Sequence, residues 1–378
     1  MRHTLLCTVG TSLFNGNLKQ LNPEKTDLPT NWQELRQAYQ SQSWKKLARE
    51  LSKCDPSSRI CGAEINALEQ ILTHKNINLE RLIFFVSDTD LGINTGKVLK
   101  EYFKNRKDLN LRYIESVTIK DLQDKDPKRF AVSGLRNLVQ KMGDEINKAG
   151  GHQFCAIEAT GGYKAQIAIA VIVGQALQIP VYYKHENFST MIDFPPLPVG
   201  FDYSILGDNA HILRYLEQGN IFSWENPENL DPRLKVLLTE TEIDGKLWYE
   251  LSPIGQIYLT GFRIRYPKVP DLVPCKHKKP PTFGNDHHFP PDFKKFVKKI
   301  WNETPWIKTA YTLPYAGQKG IKGNWFKVEK DGDSQSLIGM YRKKDFGAKF
   351  RIRLSKETHE CLTWAADQLN RQYGEFNN

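Results

Sequence analysis

The seven residues Glu158-Ala-Thr-Gly-Gly-Tyr-Lys164 constrain the fold more than any other part of this 378-residue chain. They follow the apolar run Phe154-Cys-Ala-Ile157 and precede Ala165-Gln-Ile-Ala-Ile-Ala-Val-Ile-Val173, whose near-continuous apolarity reads as a buried helix. Strand, glycine turn, helix is the geometry that aims backbone N–H groups and a helix N-terminus at a phosphate. Thr160 offers a hydroxyl donor and Lys164 a cation, while Gly161 and Gly162 let a ligand approach the main chain closely. The same pattern also serves as a plain α/β connection.

Two further turns repeat the arrangement. His3-Thr-Leu-Leu-Cys-Thr-Val9 predicts a first strand, followed by Gly10, Thr11, Ser12 and Asn15. Leu82-Ile-Phe-Phe-Val86 predicts another, followed by Ser87-Asp-Thr-Asp-Leu-Gly92 and a helix expected from about Thr95 to Phe103. In a doubly wound sheet, the loops at the carboxyl ends of the strands gather in one crevice, where ligands bind. Gly10, Thr11, Ser12, Asn15, Asp88, Thr89, Thr160, Gly161, Gly162 and Lys164 are therefore candidate ligand-binding residues. Neither G-x-G-x-x-G nor G-x-x-x-x-G-K-[ST] occurs, which disfavours ordinary dinucleotide and P-loop chemistry.

Charge is distributed unevenly. Residues 263–378 carry 23 Lys and Arg against 12 Asp and Glu, a net of +11, whereas residues 1–262 carry 30 against 31, a net of −1. A basic excess confined to the C-terminal third points to a polyanion partner for that part, with nucleic acid the first choice. The six cysteines are scattered without C-x-x-C, as expected of reduced thiols in the cytoplasm. No apolar run approaches the roughly 18 residues of a membrane helix, and no signal peptide is evident, so no membrane partner is expected.

Three domains are expected: 1–205, 206–266 and 267–378. In the first, a helix-prone insertion over residues 17–62 holds an amphipathic stretch from Trp32 to Leu51, and strands and helices alternate over residues 63–205, the signature of an α/β fold. In the second, two short helices, an Asp244-Gly245 hairpin turn and Ser252-Pro253 opening a final helix have the order of a winged helix-turn-helix. The third opens on a proline-rich stretch, 267–291, that includes Pro270. Asp292–Trp301 then reads as an amphipathic helix and Asn324–Glu329, Ser336–Arg342 and Ala348–Leu354 as strands, with a closing helix from about Glu357 to Tyr373. In Ala348–Leu354, Lys349, Arg351 and Arg353 alternate with Ala348, Phe350, Ile352 and Leu354. With Trp325, Lys327, Tyr341, Arg342, Lys343 and Lys344, they suit a single-stranded RNA groove in which rings stack on bases and cations hold phosphates. Cys275, His277, His287 and His288 have spacing that argues against zinc, and no metal site is expected.

Gly10-Thr-Ser, Thr160-Gly-Gly-Tyr-Lys164, Phe130–Leu138 and Val181-Tyr-Tyr-Lys-His-Glu186 running to Phe194-Pro-Pro-Leu-Pro198 together resemble a CRISPR-associated Rossmann fold (CARF) sensor domain, over about residues 1–205. The resemblance implies a homodimer that binds a cyclic oligoadenylate, with the tetra-adenylate expected first, as an allosteric activator and with no other cofactor. Ser12 and Lys164 are the residues placed to act if the pocket also cleaves that ligand.

A helix followed by a small sheet with Lys and Arg on its open face resembles a RelE-type mRNA interferase over residues 285–378. CARF, winged helix and RelE in that order is a known effector architecture of type III CRISPR defence. The implied chemistry is metal-independent attack of a ribose 2′-OH on the adjacent phosphate, with the ribosome positioning mRNA in its A site. Lys327, Arg342, Lys349, Arg351 and Arg353 are the candidate catalytic cations, with Tyr341 or Tyr373 for stacking or proton transfer. Two alternatives stand beside this. Arg353 and His359 have the R-x(5)-H spacing of HEPN ribonucleases, and a non-catalytic CARF and winged-helix regulator of transcription would share the first two domains.

Overall fold

The first strand pattern forms β1 (Arg2–Thr8), and it becomes the centre of a sheet with β2 (Ile77–Ser87), β3 (Tyr113–Ile119), β4 (Cys155–Glu158), β5 (Val181–Tyr183) and β6 (Ile192–Phe194) in the order β3-β2-β1-β4-β5-β6. All neighbours are parallel except β5 and β6. This computed structural model describes the chain apart from residues 23–27, 76, 186, 187, 189, 270, 285–287, 315–320, 344, 345 and 378. Glu186, Pro270, His287 and Lys344 thus lie outside the described residues.

The chain folds as two units, Met1–Phe201 with Ser252–Arg265, and Asp202–Leu251 with Tyr266–Asn378. In the first, helices cover both faces of the sheet. On one lie α1 (Trp32–Gln40), α2 (Trp44–Leu51), α3 (Gly62–His74) and α4 (Asp90–Asn105), around Leu5, Cys7, Leu82, Phe84 and Val86. After the single turn α5 (Pro127–Arg129), α6 (Leu135–Lys148) and α7 (Lys164–Leu177) pack on the other, around Leu6, Ile83, Phe85 and Ile157. A strand buried on both faces reads as an unbroken apolar run, which is why Leu82–Val86 does not alternate.

Two local expectations change. The amphipathic stretch is two helices, separated where Gln42 takes φ 52°. Helix α4 begins at Asp90 rather than near Thr95, capped by the Thr89 hydroxyl, which accepts the Gly92 N–H at 3.1 Å. Gly92 is thus inside the helix, and it and Gly96 are close-packing residues: a Cβ at either would lie 2.1 Å from the Ser87 or Ser116 hydroxyl.

In the second unit, α8 (Leu206–Glu217) and α9 (Pro232–Val236) precede the hairpin β7 (Leu238–Ile243) and β8 (Lys246–Leu251). Asp244 and Gly245, at φ 51° and 72°, make the left-handed two-residue turn that the Asp-Gly pair predicts. Helix α10 (Pro253–Arg265) belongs to the first unit, where Gly143 of α6 comes so close that a Cβ there would lie 2.6 Å from Thr260 Cγ2.

Helix α11 (Phe293–Glu303) leads into an antiparallel sheet of β9 (Ile307–Leu313), β10 (Lys322–Asp331), β11 (Ser334–Lys343), β12 (Phe346–Leu354) and β13 (Glu375–Asn377), ordered β13-β10-β11-β12-β9. Its three middle strands are those read from the sequence; β9 and β13 are additional. Helix α12 (His359–Tyr373) starts one residue after its Thr358 cap and packs its buried side with Phe293, Val297, Phe326, Phe350 and Ile352. No helix among the described residues is long and apolar enough to cross a membrane.

Candidate functional site

In the first unit the chain runs outward from β1 to β2 and β3, then returns to the other side of β1 as β4. The turns after β1 and β4 therefore meet at the topological switch point, where parallel sheets open a crevice. Their backbones touch: a Cβ on Gly10 would lie 2.8 Å from Gly162 N, and one on Gly161 would lie 2.2 Å from Glu64 Oε1 and 2.8 Å from Gly10 N. Gly162 takes φ 111°, which side chains rarely adopt. We expect Gly161→Ala to lower stability by about 1–3 kcal/mol through overpacking, measured by urea unfolding, with no change in unfolding slope.

A cleft of about 580 Å3 opens beside these turns, lined among others by Gly10, Thr11, Asn15, Asp88, Thr89 and Gly162. Those six are predicted ligand-binding residues. The other four are not on its wall. Ser12 and Lys164 are exposed beyond it. The Gly161 carbonyl accepts the Thr8 hydroxyl at 2.6 Å. The Thr160 side chain is engaged twice, its oxygen accepting the Lys184 N–H at 2.9 Å and its hydroxyl bonding the Glu158 carboxyl.

The cleft also recruits Ser87, Asp90, Asp124, Lys125 and Tyr163. Asp124 and Lys125 come from the loop after β3, which strand order places beside the loop after β2. Their signal in the sequence is the polar run Lys120-Asp-Leu-Gln-Asp-Lys125. Burial and the Asp124 charge raise the Tyr163 phenol above its ordinary value. Carboxylates and hydroxyls suit ribose hydroxyl and amino donors, while the backbone turns suit phosphate oxygens.

In the second unit, register brings cations from separate strands to one sheet face. Lys327, Ile338, Arg351 and Tyr311 lie in one cross-strand row, and Trp325, Met340, Lys349 and Leu313 in the next. Arg353 follows Arg351 on β12 and Arg342 follows Met340 on β11, so both have the same facing. The exposure of β12 alternates as predicted, with Phe350, Ile352 and Leu354 buried.

Carboxylates organise several of these cations. Glu329 takes Lys327 at 3.1 Å and Lys349 at 2.6 Å. Burial pushes the Glu329 carboxyl up, but the Lys349 hydrogen bond and the Lys327 charge more than offset it, so it lies below its ordinary value. Glu357 takes Arg353 at 2.6 Å and raises its guanidinium. Arg351 has no carboxylate partner among the described residues, and its Nε is buried without one.

Tyr341 is not brought to this face. Its pairing with Ala348 turns it into the core, and its hydroxyl donates to the Pro291 carbonyl at 2.9 Å. The Tyr373 hydroxyl is likewise held by Glu303 at 3.0 Å. Tyr311 is the tyrosine on the cationic face, with its hydroxyl beside Arg353. Sequence reasoning missed it, although its strand, Ile307-Lys-Thr-Ala-Tyr-Thr-Leu313, is a β-branched run bounded by Pro305 and Pro314. His211 of α8 stacks on Trp325 with ring centroids 4.5 Å apart; burial, with the Lys327 charge adding, pushes its imidazole down to about 3. His359, the partner in the HEPN spacing, holds Gln335 Oε1 at 2.8 Å, and Arg353 sits in a strand.

No curated relative matches the chain. Solved structures similar to it include the following two. Can2 from Sulfobacillus thermosulfidooxidans in complex with cyclic tetra-adenylate is 11% identical, covering 70% of this chain and 67% of that one, with a TM-score of 0.22. Protein VC1899 from Vibrio cholerae is 11% identical, covering 69% of each chain, with a TM-score of 0.22. Residues 59–197, which carry β2 to β6 and the glycine turn after β4, match the family described as CRISPR-associated protein (Cas_APE2256).

Proposed function

We propose that the protein is an ancillary effector of type III CRISPR defence in which the switch-point crevice senses a cyclic oligoadenylate and the cationic sheet cleaves mRNA. The segregation of charge carries this reading: a chain whose first 262 residues are near neutral has Lys and Arg from three strands gathered on one face of its C-terminal sheet. The match of residues 59–197 to a CRISPR-associated family supports the sensing half. The sensor is of CARF type and works as a homodimer, with the activator bound across the two-fold axis. On this reading residues 206–266 make the winged helix and residues 267–378 a RelE-type domain acting at the ribosomal A site in the cytoplasm.

Cleavage on this reading is attack of a ribose 2′-OH on the neighbouring phosphorus. The 2′ oxygen forms a bond to phosphorus, the bond to the 5′ oxygen breaks, and one proton leaves the 2′-OH while another reaches the leaving oxygen. On this reading Lys327 or Lys349 gives a proton to the leaving oxygen, the Glu329 carboxylate that pairs with them takes the 2′-OH proton, and Arg351 meets the charge that builds on the phosphorane. Tyr311, half-buried on the same face, offers a ring face for a base. The deciding experiment incubates the full chain and labelled mRNA with cyclic tetra- or hexa-adenylate, with and without translating ribosomes. Cleavage is expected only with cyclic nucleotide and chiefly with ribosomes; cleavage of free RNA alone favours the HEPN-like alternative, and sequence-specific DNA binding without cleavage favours the regulator.

Lys164 tests the sensing half. Lys164→Ala is expected to weaken cyclic oligoadenylate binding by about 1.5–3 kcal/mol, the range of a charge-assisted hydrogen bond. Isothermal calorimetry reads it, and an unchanged dissociation constant means that a ligand in the cleft does not reach out to Lys164.

A further inference from the structure

Two carboxyls lie beneath the crevice turns, and the ligand-binding reading does not use them. Glu64 of α3 is 1% exposed and Glu158, at the end of β4, is 0% exposed. Each supports one turn from below: Glu64 Oε1 accepts the Gly10 N–H at 2.7 Å, and Glu158 Oε1 accepts the Thr160 N–H at 2.8 Å. The second oxygen of each is buried with no hydrogen-bond partner among the described residues.

Among the described residues no Lys or Arg charge offsets the rise of either carboxyl, although Arg2 and Lys75 act on the neighbouring Tyr182. Cys7 on β1 is in register with Glu158, which in turn pairs with Tyr182 on β5. Burial, then the charges of Glu158 and Glu64, raises the Cys7 thiol well above its ordinary value. Tyr182 is also raised, chiefly by burial. Among the described residues neither carboxyl forms an ion pair with Lys, Arg or His. Two ionised carboxylates enclosed without a counter-charge are far less stable than a pair that keeps a proton.

We propose that Glu64 and Glu158 form a proton-holding pair that positions the Gly10 and Thr160–Gly162 turns, so that the crevice takes a polyanion only while the pair is protonated. This rests on the crevice being the oligoadenylate site. Burial raises both carboxyls, with Glu158 reaching about 8 and the Glu64 charge adding to that rise. The neutral form therefore persists at neutral pH and is lost as pH rises through about 8. Ionisation places negative charge directly behind turns that face phosphates, so affinity must fall in that same window. Phosphodiesters stay ionised and adenines neutral throughout it, and an ordinary lysine titrates higher, near about 10.4.

The same shift acts on folding without ligand. A carboxyl raised in the native state contributes stability that is complete below its ordinary value of 4.5 and is lost as pH rises through about 8. Glu158→Gln keeps an oxygen for the Thr160 N–H and cannot ionise.

The test uses the full chain and cyclic tetra-adenylate, with calorimetry from pH 6.5 to 9.5 and melting without ligand over the same range. Wild-type affinity is expected to fall about tenfold or more, following the tenfold-per-unit limit of one-proton linkage, while that of Glu158→Gln, which keeps only Glu64 to ionise, falls less. Wild type should also lose more melting temperature with rising pH than the variant. Equal affinity slopes, or equal melting slopes, in the two proteins overturn the proposal. Absence of binding at every pH, with the melting difference retained, instead sinks the oligoadenylate reading. Should the variant not fold, infrared spectroscopy of wild type decides: a protonated-carboxyl band present at pH 7 and lost by pH 9.5 supports the pair, and no such band overturns it.

Discussion

Arg351→Ala is expected to lower RNA cleavage by about 100- to 1,000-fold, the usual effect of deleting one group that stabilises transition-state charge. Activator affinity and melting temperature should stay near wild type. Arg351 stands out from its neighbours because it lacks a carboxylate partner among the described residues, whereas Lys327 and Lys349 share Glu329 and Arg353 is held by Glu357. A phosphate can therefore take Arg351 without first displacing an acid. Arg353→Ala should cost less, since part of its charge is already engaged by Glu357, itself on the way to α12. Single-turnover cleavage of ribosome-bound mRNA measures both. If Arg351→Ala cuts normally while His359→Ala does not, the chemistry lies at the Arg353 and His359 spacing instead.

The largest expected loss of stability comes from Asn370→Leu, at about 2–6 kcal/mol, the sum of two unpaired buried groups. Asn370 is 1% exposed on α12. Its Oδ1 accepts the Phe326 N–H at 2.9 Å and its Nδ2 donates to the Phe326 carbonyl at 2.6 Å. One side chain thus supplies both hydrogen bonds that a neighbouring strand would make to β10 at this position, just past the short pairing with β13. Leucine leaves a buried donor and a buried acceptor unpaired, each costing about 1–3 kcal/mol. Urea unfolding measures the loss. Because β10 also carries Trp325, Lys327 and Glu329, cleavage should fall before the domain unfolds.

Much of this architecture was legible because its signals are local. The apolar runs Leu5–Cys7 and Leu82–Val86 state buried parallel strands directly, and the Asp244-Gly245 pair states its own turn. The glycines around Thr160 announce a turn where side chains cannot fit, and the structure shows the main chains of Gly10, Gly161 and Gly162 pressed together. Helix α4 begins earlier than the sequence suggests because Gly92 lies inside it, and Gly92 and Gly96 are there for their lack of a side chain, against two serines.

The order of residues alone was enough to specify a doubly wound sheet with polar turns at its strand ends, and to put Lys349, Arg351 and Arg353 on one face. Periodicity and turn chemistry are properties of adjacent residues, so they are written in adjacent residues. Which groups meet was settled only in three dimensions. Glu64 reaches Gly10 across 54 residues, and Lys349 reaches Glu329 across 20. Tyr311 joins the cationic face and Tyr341 leaves it because cross-strand register, not residue type, assigns each side chain to a face, and a shift of one residue would exchange them. Strand order and burial likewise placed two carboxyls without a cation beneath the crevice, an environment that no local pattern announces because it is made of residues distant in the chain.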